Sequence, residues 1–223
     1  GSRGGVPGGR HYAAAMATAS GSAAERGHLS IVTGTGDDAP DDDGSADLHP
    51  LGPVGAAFDK VVDKAWEPLR GNPNLDRLFY TASELADFSL LWHLAGTARG
   101  VVRRNGHREA IRLSAALGAE SAFVNGAVKS LFRRDRPDHE DERPHKLRQP
   151  LTSSFPSGHA SAAFLAATLL SERSRVRPFW FAAAGVVAFS RVHVRIHHAS
   201  DVVVGAGIGL ALGRLVRKVL PLR

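Results

Sequence analysis

The chain has 223 residues, a formal net charge of +6 and no cysteine, so it is long enough for one domain with a core and cannot be a disulfide-stapled fold. Its Lys and Arg lie beside His-rich and Gly-rich motifs instead of in patches interleaved with aromatics. The basic excess therefore points to phosphate and away from nucleic acid.

Residues 1–53 are rich in Gly, Ala, Ser and Asp, include the runs Asp37-Asp38 and Asp41-Asp42-Asp43, and lack apolar periodicity. They are expected to form a disordered acidic tail ahead of a folded unit over 54–223, which must then be more basic than the total. Met16 is the only methionine and a candidate natural start, with residues 1–15 upstream of it. Neither Gly1 nor Met16 is followed by the charged stretch and apolar run of a signal peptide.

Over 54–82, Phe58, Val61, Val62, Ala65, Trp66 and Leu69 fall at helical spacing ahead of the Gly71-Asn72-Pro73 break. The spacing predicts an amphipathic helix, either packed on a core or lying in a membrane interface with Trp66 at headgroup depth. Mostly apolar segments follow at roughly 83–102, 110–132, 158–172, 178–195 and 200–217, each closed by basic residues or a Gly/Pro break. The expected fold is all-α, a helical bundle of about five apolar helices plus the amphipathic N-terminal one. Uninterrupted apolar runs such as Phe179 to Phe189 and Val202 to Gly213 are shorter than the ~20 residues of a free-standing span. Gly205, Gly209 and Gly213, however, repeat at small-xxx-small spacing on one helix face, a pattern that brings helices close in lipid and also suits tight packing in a soluble bundle.

Three clusters carry chemistry. The first, Lys129-Ser-Leu-Phe-Arg-Arg-Asp-Arg136-Pro137, ends the second apolar segment. On a helix terminated by Pro137, Lys129 and Arg136 sit about two turns apart and converge on one anion, although such a pair also serves simply to complement the helix dipole. The second, Ser153-Ser154-Phe155-Pro156-Ser157-Gly158-His159-Ala160, opens an apolar helix. Ser157 and the amides of Gly158 and His159 then lie at a helix N-terminus suited to phosphate, with His159 in reach of a leaving-group oxygen as general acid; an ordinary N-cap is the plainer alternative. The third, Ser190-Arg191-Val-His-Val-Arg-Ile-His197-His198-Ala-Ser-Asp201, opens the last helix. Four positions apart, His197 and Asp201 are helical neighbours, and a carboxylate on one imidazole nitrogen leaves the other free to attack phosphorus. A metal site at His193, His197 and His198 is disfavoured because no Cys or Glu-x-x-His partner accompanies them and the nearby cations repel a metal ion.

Taken together, Lys129-x6-Arg136-Pro137, Pro156-Ser157-Gly158-His159 and Ser190-Arg191-x5-His197-x3-Asp201 resemble the three-part signature of the type 2 phosphatidic acid phosphatases, in order and at every signature position. The resemblance runs from about Leu75 to the C-terminus. The stretch from Asp76-Arg77 through Ser89-Leu-Leu-Trp92, with Phe123-Val-Asn125, is similar to the phosphatase half of actinobacterial proteins that couple this domain to a diacylglycerol-kinase-like one. No such second domain is expected after Arg223. The resemblance implies that His197 attacks phosphorus, Asp201 orients it and His159 protonates the leaving alkoxide. Lys129, Arg136, Arg191, Ser157 and the Gly158 amide hold the phosphoryl oxygens, and neither metal nor cofactor is needed because cations and a helix N-terminus already neutralise them.

The expected activity is hydrolysis of lipid phosphate monoesters or of polyprenyl phosphates and diphosphates by a multi-pass membrane protein in contact with lipid. Two alternatives share the superfamily: a soluble acid phosphatase, and a vanadium-dependent haloperoxidase whose pocket holds vanadate. The motifs put Lys129, the 133–156 loop, Ser157 and His197 at one end of the bundle, so the basic segments 103–108, 173–177 and 214–223 share the other. The positive-inside bias then sets those segments in the cytoplasm and the active site outside.

Overall fold

The computed structural model describes residues 49–104, 106–137 and 152–222. The expected acidic tail, up to residue 48, and the acidic part of the 133–156 loop lie outside the described residues. Among the described residues the chain forms seven α-helices and no strand: α1 Gly52–Trp66, α2 Pro73–Leu85, α3 Leu90–Val102, α4 Gly106–Ser121, α5 Gly158–Leu170, α6 Arg177–His193 and α7 Ala199–Val219.

The first predicted helix is in fact two. Gly71, at φ +80, breaks the chain after α1, and α2 restarts with Asn72 as N-cap, accepting from the backbone N–H of Asn74 (3.0 Å) and Leu75 (3.3 Å), and Pro73 in the first turn. The apolar stripe read from the sequence is also not the face that packs. Val61 and Leu69 are exposed, while Gly55 and Asp59 are buried. Trp66 turns inward, stacking edge-on with Phe189 at 4.3 Å and donating to Nδ1 of His193 at 2.9 Å. It serves packing and not a headgroup anchor.

The second apolar segment departs from a simple helix as well. α4 gives way to a π-helical stretch, Ala122–Val128, and a 3₁₀ turn, Lys129–Leu131, after which Phe132 is extended at φ −124, ψ 137. Residues 132–137 then run beside 152–155, with Ser154 N–H donating to Arg134 O (3.0 Å) and Arg134 N–H to Ser153 Oγ (3.2 Å). Lys129 and Arg136 therefore do not share a helix face, because the helix ends before Pro137 has to end it.

α5 is the centre of the bundle: it is apolar all round, buried over nearly its whole length, and packed against α4, α6 and α7. Trp92, Leu113, Leu117, Leu165 and Val187 fill the core around it. α7 approaches α5 along the glycine stripe foreseen in the sequence. A Cβ on Gly205 would lie 2.3 Å from Ser157 O, one on Gly209 2.1 Å from Ser161 O, and one on Gly213 2.7 Å from Thr168 Cβ. Only glycine allows this approach, and it seats the start of α7 directly against the start of α5.

At the far end of α5 the basic segments meet. Arg99 donates to Glu172 O (2.7 Å), Arg103 to Arg173 O (2.8 Å) and Arg112 to Leu220 O (2.8 Å), while Arg99 and Arg112 also pair with Glu109 and Glu172. The linkers after α3 and α5 and the end of α7 thus form one arginine-rich collar, at the opposite end of α5 from Ser157.

Candidate active site

Each motif is delivered by the end of a helix. Ser157 is the N-cap of α5, its Oγ accepting from Ala160 N–H at 3.4 Å and its own N–H donating to Asp201 O at 3.0 Å. Gly158 lies under the Asn125 side chain, which a Cβ there would meet at Oδ1, 2.8 Å away, and displace. His197 lies in a tight turn between α6 and α7, where Arg195 takes φ 50 and the N–H groups of Ile196 and His197 both donate to Arg191 O at 3.1 Å. Arg191 is buried in the last turn of α6 with its guanidinium on Ser83 Oγ.

His197 thus precedes α7 and does not stack on Asp201 along a helix. Asp201 sits in the first turn of α7 and points back: its Oδ2 accepts from His198 N–H at 2.9 Å and lies 3.5 Å from His197 Nδ1. The expected neighbours meet, through N-terminal capping instead of i,i+4 geometry. Nδ1 has no other partner, which leaves Nε2 for chemistry. Burial, with the Arg191 and Arg136 charges, holds the His197 imidazole at a pKa of about 3, against the opposing pull of Asp201. Its resting form is neutral, as a nucleophile requires.

A cleft of about 480 Å³ joins the parts, lined by Lys129, Gly158, His159 and His197 together with Asp87, Phe88, His93, Glu120, Ser121 and Asn125. Lys129 is buried in its wall. Asp201, Arg191 and Ser157 lie behind that wall, fully or almost fully buried. Arg136 stands to the side, donating to Ile196 O (2.8 Å) and Thr152 O (2.9 Å). Of the residues expected to hold phosphate, Lys129 and Gly158 line the cleft itself, whereas Arg136, Arg191 and Ser157 flank it.

The sequence model described as the PAP2 superfamily matches residues 109–223. The chain belongs to the PAP2 superfamily. Decaprenylphosphoryl-5-phosphoribose phosphatase of Mycobacterium tuberculosis (strain ATCC 25618 / H37Rv) is 37% identical over 102 residues, covering 44% of this chain and 56% of that relative. The protein of the same name from Mycolicibacterium smegmatis is 30% identical over 150 residues, covering 66% of this chain and 80% of the relative. Among solved structures, the transmembrane PAP2 type phosphatidylglycerolphosphate phosphatase from Bacillus subtilis superposes with a TM-score of 0.59 at 24% identity, covering 77% of this chain and 90% of that one. The all-α bundle is thus the PAP2 fold.

Four acidic residues around this PAP2 cleft escape motif reading. Asp87 Oδ1 accepts from His159 Nε2 at 2.8 Å, from a corner where Phe88 (φ 52) and Ser89 (φ 58) both take left-handed backbone. Asp76 accepts from His193 Nε2 at 2.8 Å, so His193 is a bridge between Asp76 and Trp66 and not a site residue. Asp59 reaches the start of α7 from α1, its Oδ1 accepting from Ser200 N–H at 2.7 Å. Glu120 lies buried in the cleft wall with Oε1 unpartnered. Each is a lone carboxylate in an apolar or mixed segment, and only its isolation there signals a partner elsewhere.

Proposed function

We propose that the chain is a metal-independent phosphatase that releases phosphate from lipid phosphate monoesters or diphosphates through a phosphohistidine at His197. The observation that carries the reading is the single cleft lined by Lys129, Gly158, His159 and His197, with Asp201 behind His197. In the proposed first step Nε2 of His197 bonds to phosphorus, the bond from phosphorus to the leaving oxygen breaks, and His159 gives that oxygen a proton. In the second, water attacks the phosphohistidine and yields its proton to the now neutral His159, and phosphate departs as Nε2 recovers its lone pair. Asp201 keeps the proton of His197 on Nδ1, so that Nε2 carries the lone pair. Lys129, Arg136, Arg191, the Ser157 hydroxyl and the Gly158 amide are assigned to the phosphoryl oxygens, where their charge and dipoles oppose the charge that builds in the transition state.

In this reading the protein is embedded in a membrane, with the site on the extracytoplasmic side. α7 supports it as the one helix among the described residues long and apolar enough to cross a bilayer, at 21 residues. The arginine collar opposite the site supports the orientation. Because the mycobacterial relatives are named for decaprenylphosphoryl-5-phosphoribose, a polyprenyl-linked sugar phosphate heads the substrate panel, followed by phosphatidylglycerol phosphate, phosphatidate and prenyl diphosphates. Phosphate release by detergent-solubilised protein is expected to be unaffected by EDTA and to pass through an acid-labile phosphoenzyme. Activity lost in EDTA and restored by Mg²⁺ would remove the metal-independent mechanism, and release from none of the four classes would remove the activity.

A further inference from the structure

The carboxylate behind His197 is itself held from behind. Oδ1 of Asp201 accepts from Nη1 of Arg134, which also donates to Ser200 Oγ at 2.9 Å; Nη2 of the same guanidinium donates to Asp59 Oδ2 at 2.6 Å. Asp59 closes the ring, accepting from Ser200 N–H and Ser200 Oγ, each at 2.7 Å, and facing His49 Nε2 at 2.9 Å. The side chains of Arg134, Asp59 and Asp201 are 9%, 9% and 0% exposed. Buried charges of this kind are tolerated only when paired, so the ring is one unit and not three independent contacts.

Arg134 occupies one of the variable positions between Lys129 and Arg136, and Asp59 belongs to α1, well outside the three motifs. We infer that Arg134 and Asp59 are positioning residues for the nucleophile, which makes α1 a working part of the catalytic centre. Arg134 fixes Oδ1 of Asp201 and thereby aims Oδ2 at His197 Nδ1. Its charge also lowers the basicity of the carboxylate, so that Asp201 holds the His197 proton without taking it as the imidazolium character of the phosphoenzyme develops. Asp59 balances the guanidinium on its other edge and turns it away from the substrate phosphate, unlike its neighbours Lys129 and Arg136. This rests on the reading of His197 as nucleophile.

The test is a mutant cycle on the detergent-solubilised full chain with a short-chain lipid phosphate. Arg134→Lys keeps the buried charge but cannot bridge two carboxylates, and Asp59→Asn keeps the shape while removing the counter-charge. Each is made alone and in an Asp201→Asn background. Arg134→Lys is expected to lower kcat roughly 10- to 100-fold, with KM and inhibition by inorganic phosphate within about 2-fold, and Asp59→Asn to follow the same split less steeply. In the Asp201→Asn background both effects should shrink to less than about 3-fold, because members of one unit are not additive. Equal fold-losses in the two backgrounds would reduce the ring to a folding device, and a loss falling on KM and on inhibition by inorganic phosphate would make Arg134 a phosphate ligand; either overturns the proposal. Should Arg134→Lys not fold, the Asp59→Asn arm decides by the same criteria. If the wild type forms no phosphohistidine, or Asp201→Asn turns over normally, the nucleophile assignment fails and takes the proposal with it, an outcome distinct from equal losses in an enzyme that still phosphorylates.

Discussion

The proposed mechanism gives His197 and His159 opposite tasks, and their hydrogen-bond partners differ accordingly. His197 is sealed against Asp201 and near Arg191 and Arg136, which keeps it neutral with one lone pair directed away from the carboxylate. His159 faces the cleft with Nε2 on Asp87, a carboxylate at the rim that orients the ring toward the cleft wall it shares with Lys129 and His197. His197→Ala is therefore expected to abolish turnover with every substrate. His159→Ala should still phosphorylate His197 when the leaving group is a good one, such as a nitrophenolate, and fail with an alkyl alcohol. Burst kinetics with the two substrate types measure this directly, and equal loss on both would refute His159 as the acid. These histidines were legible in the sequence because residue type and spacing carry their chemistry. Asp87 and Asp59 were not: their partners lie 72 and 141 residues away, and no local pattern encodes a contact that only the fold creates.

At the scale of the helix, α7 shows how a pattern can be legible while its purpose is not. The repeat of Gly205, Gly209 and Gly213 was readable as close packing, yet the sequence left open whether the partner was lipid-exposed or buried, and which helix it was. The structure supplies the partner, α5, and with it a reason beyond packing: Gly205 abuts the carbonyl of Ser157, so the stripe sets the distance between two of the three motifs. Gly209→Ala is expected to destabilise by at least about 2 kcal/mol, since its Cβ would meet backbone that has nowhere to go. For a domain of this size that corresponds to a melting temperature lower by roughly 5 °C or more. Gly207 on the same helix is exposed, and a Cβ there would meet nothing within 4 Å. Gly207→Ala should be neutral or stabilise by up to about 1 kcal/mol. Matching gains at the two positions would mean that helix propensity, and not the α5 contact, governs the stripe. The helix boundaries near Lys129 were the least legible feature, because the π-helical stretch and the extended 132–137 segment answer to pairing with Ser153 and Ser154 and not to local propensity.

At the scale of the whole molecule, charge is divided along the bundle. The end of α5 that carries Ser157 opens onto the cleft, whereas the other end carries Arg99, Arg103, Arg112, Arg173 and Arg217 within a short distance of one another. Some of that charge is offset locally, with Glu109 and Glu172 paired to Arg99, Arg103 and Arg112, but Arg175, Arg177 and Arg214 add to the same end. Short basic linkers are retained in the cytoplasm, so this end is expected inside and the cleft outside. α1 lies on the same side as the cleft, as its contact to the start of α7 requires. The chain has no cysteine, so single cysteines introduced at Thr152, exposed at the cleft end, and Arg175, exposed at the collar, report on the two sides without further engineering. In intact cells an impermeant thiol reagent should label Thr152→Cys and should label Arg175→Cys only after permeabilisation. The reverse pattern would invert the orientation, and labelling of both in intact cells, with release of the protein by carbonate, would show that the bundle does not cross the bilayer.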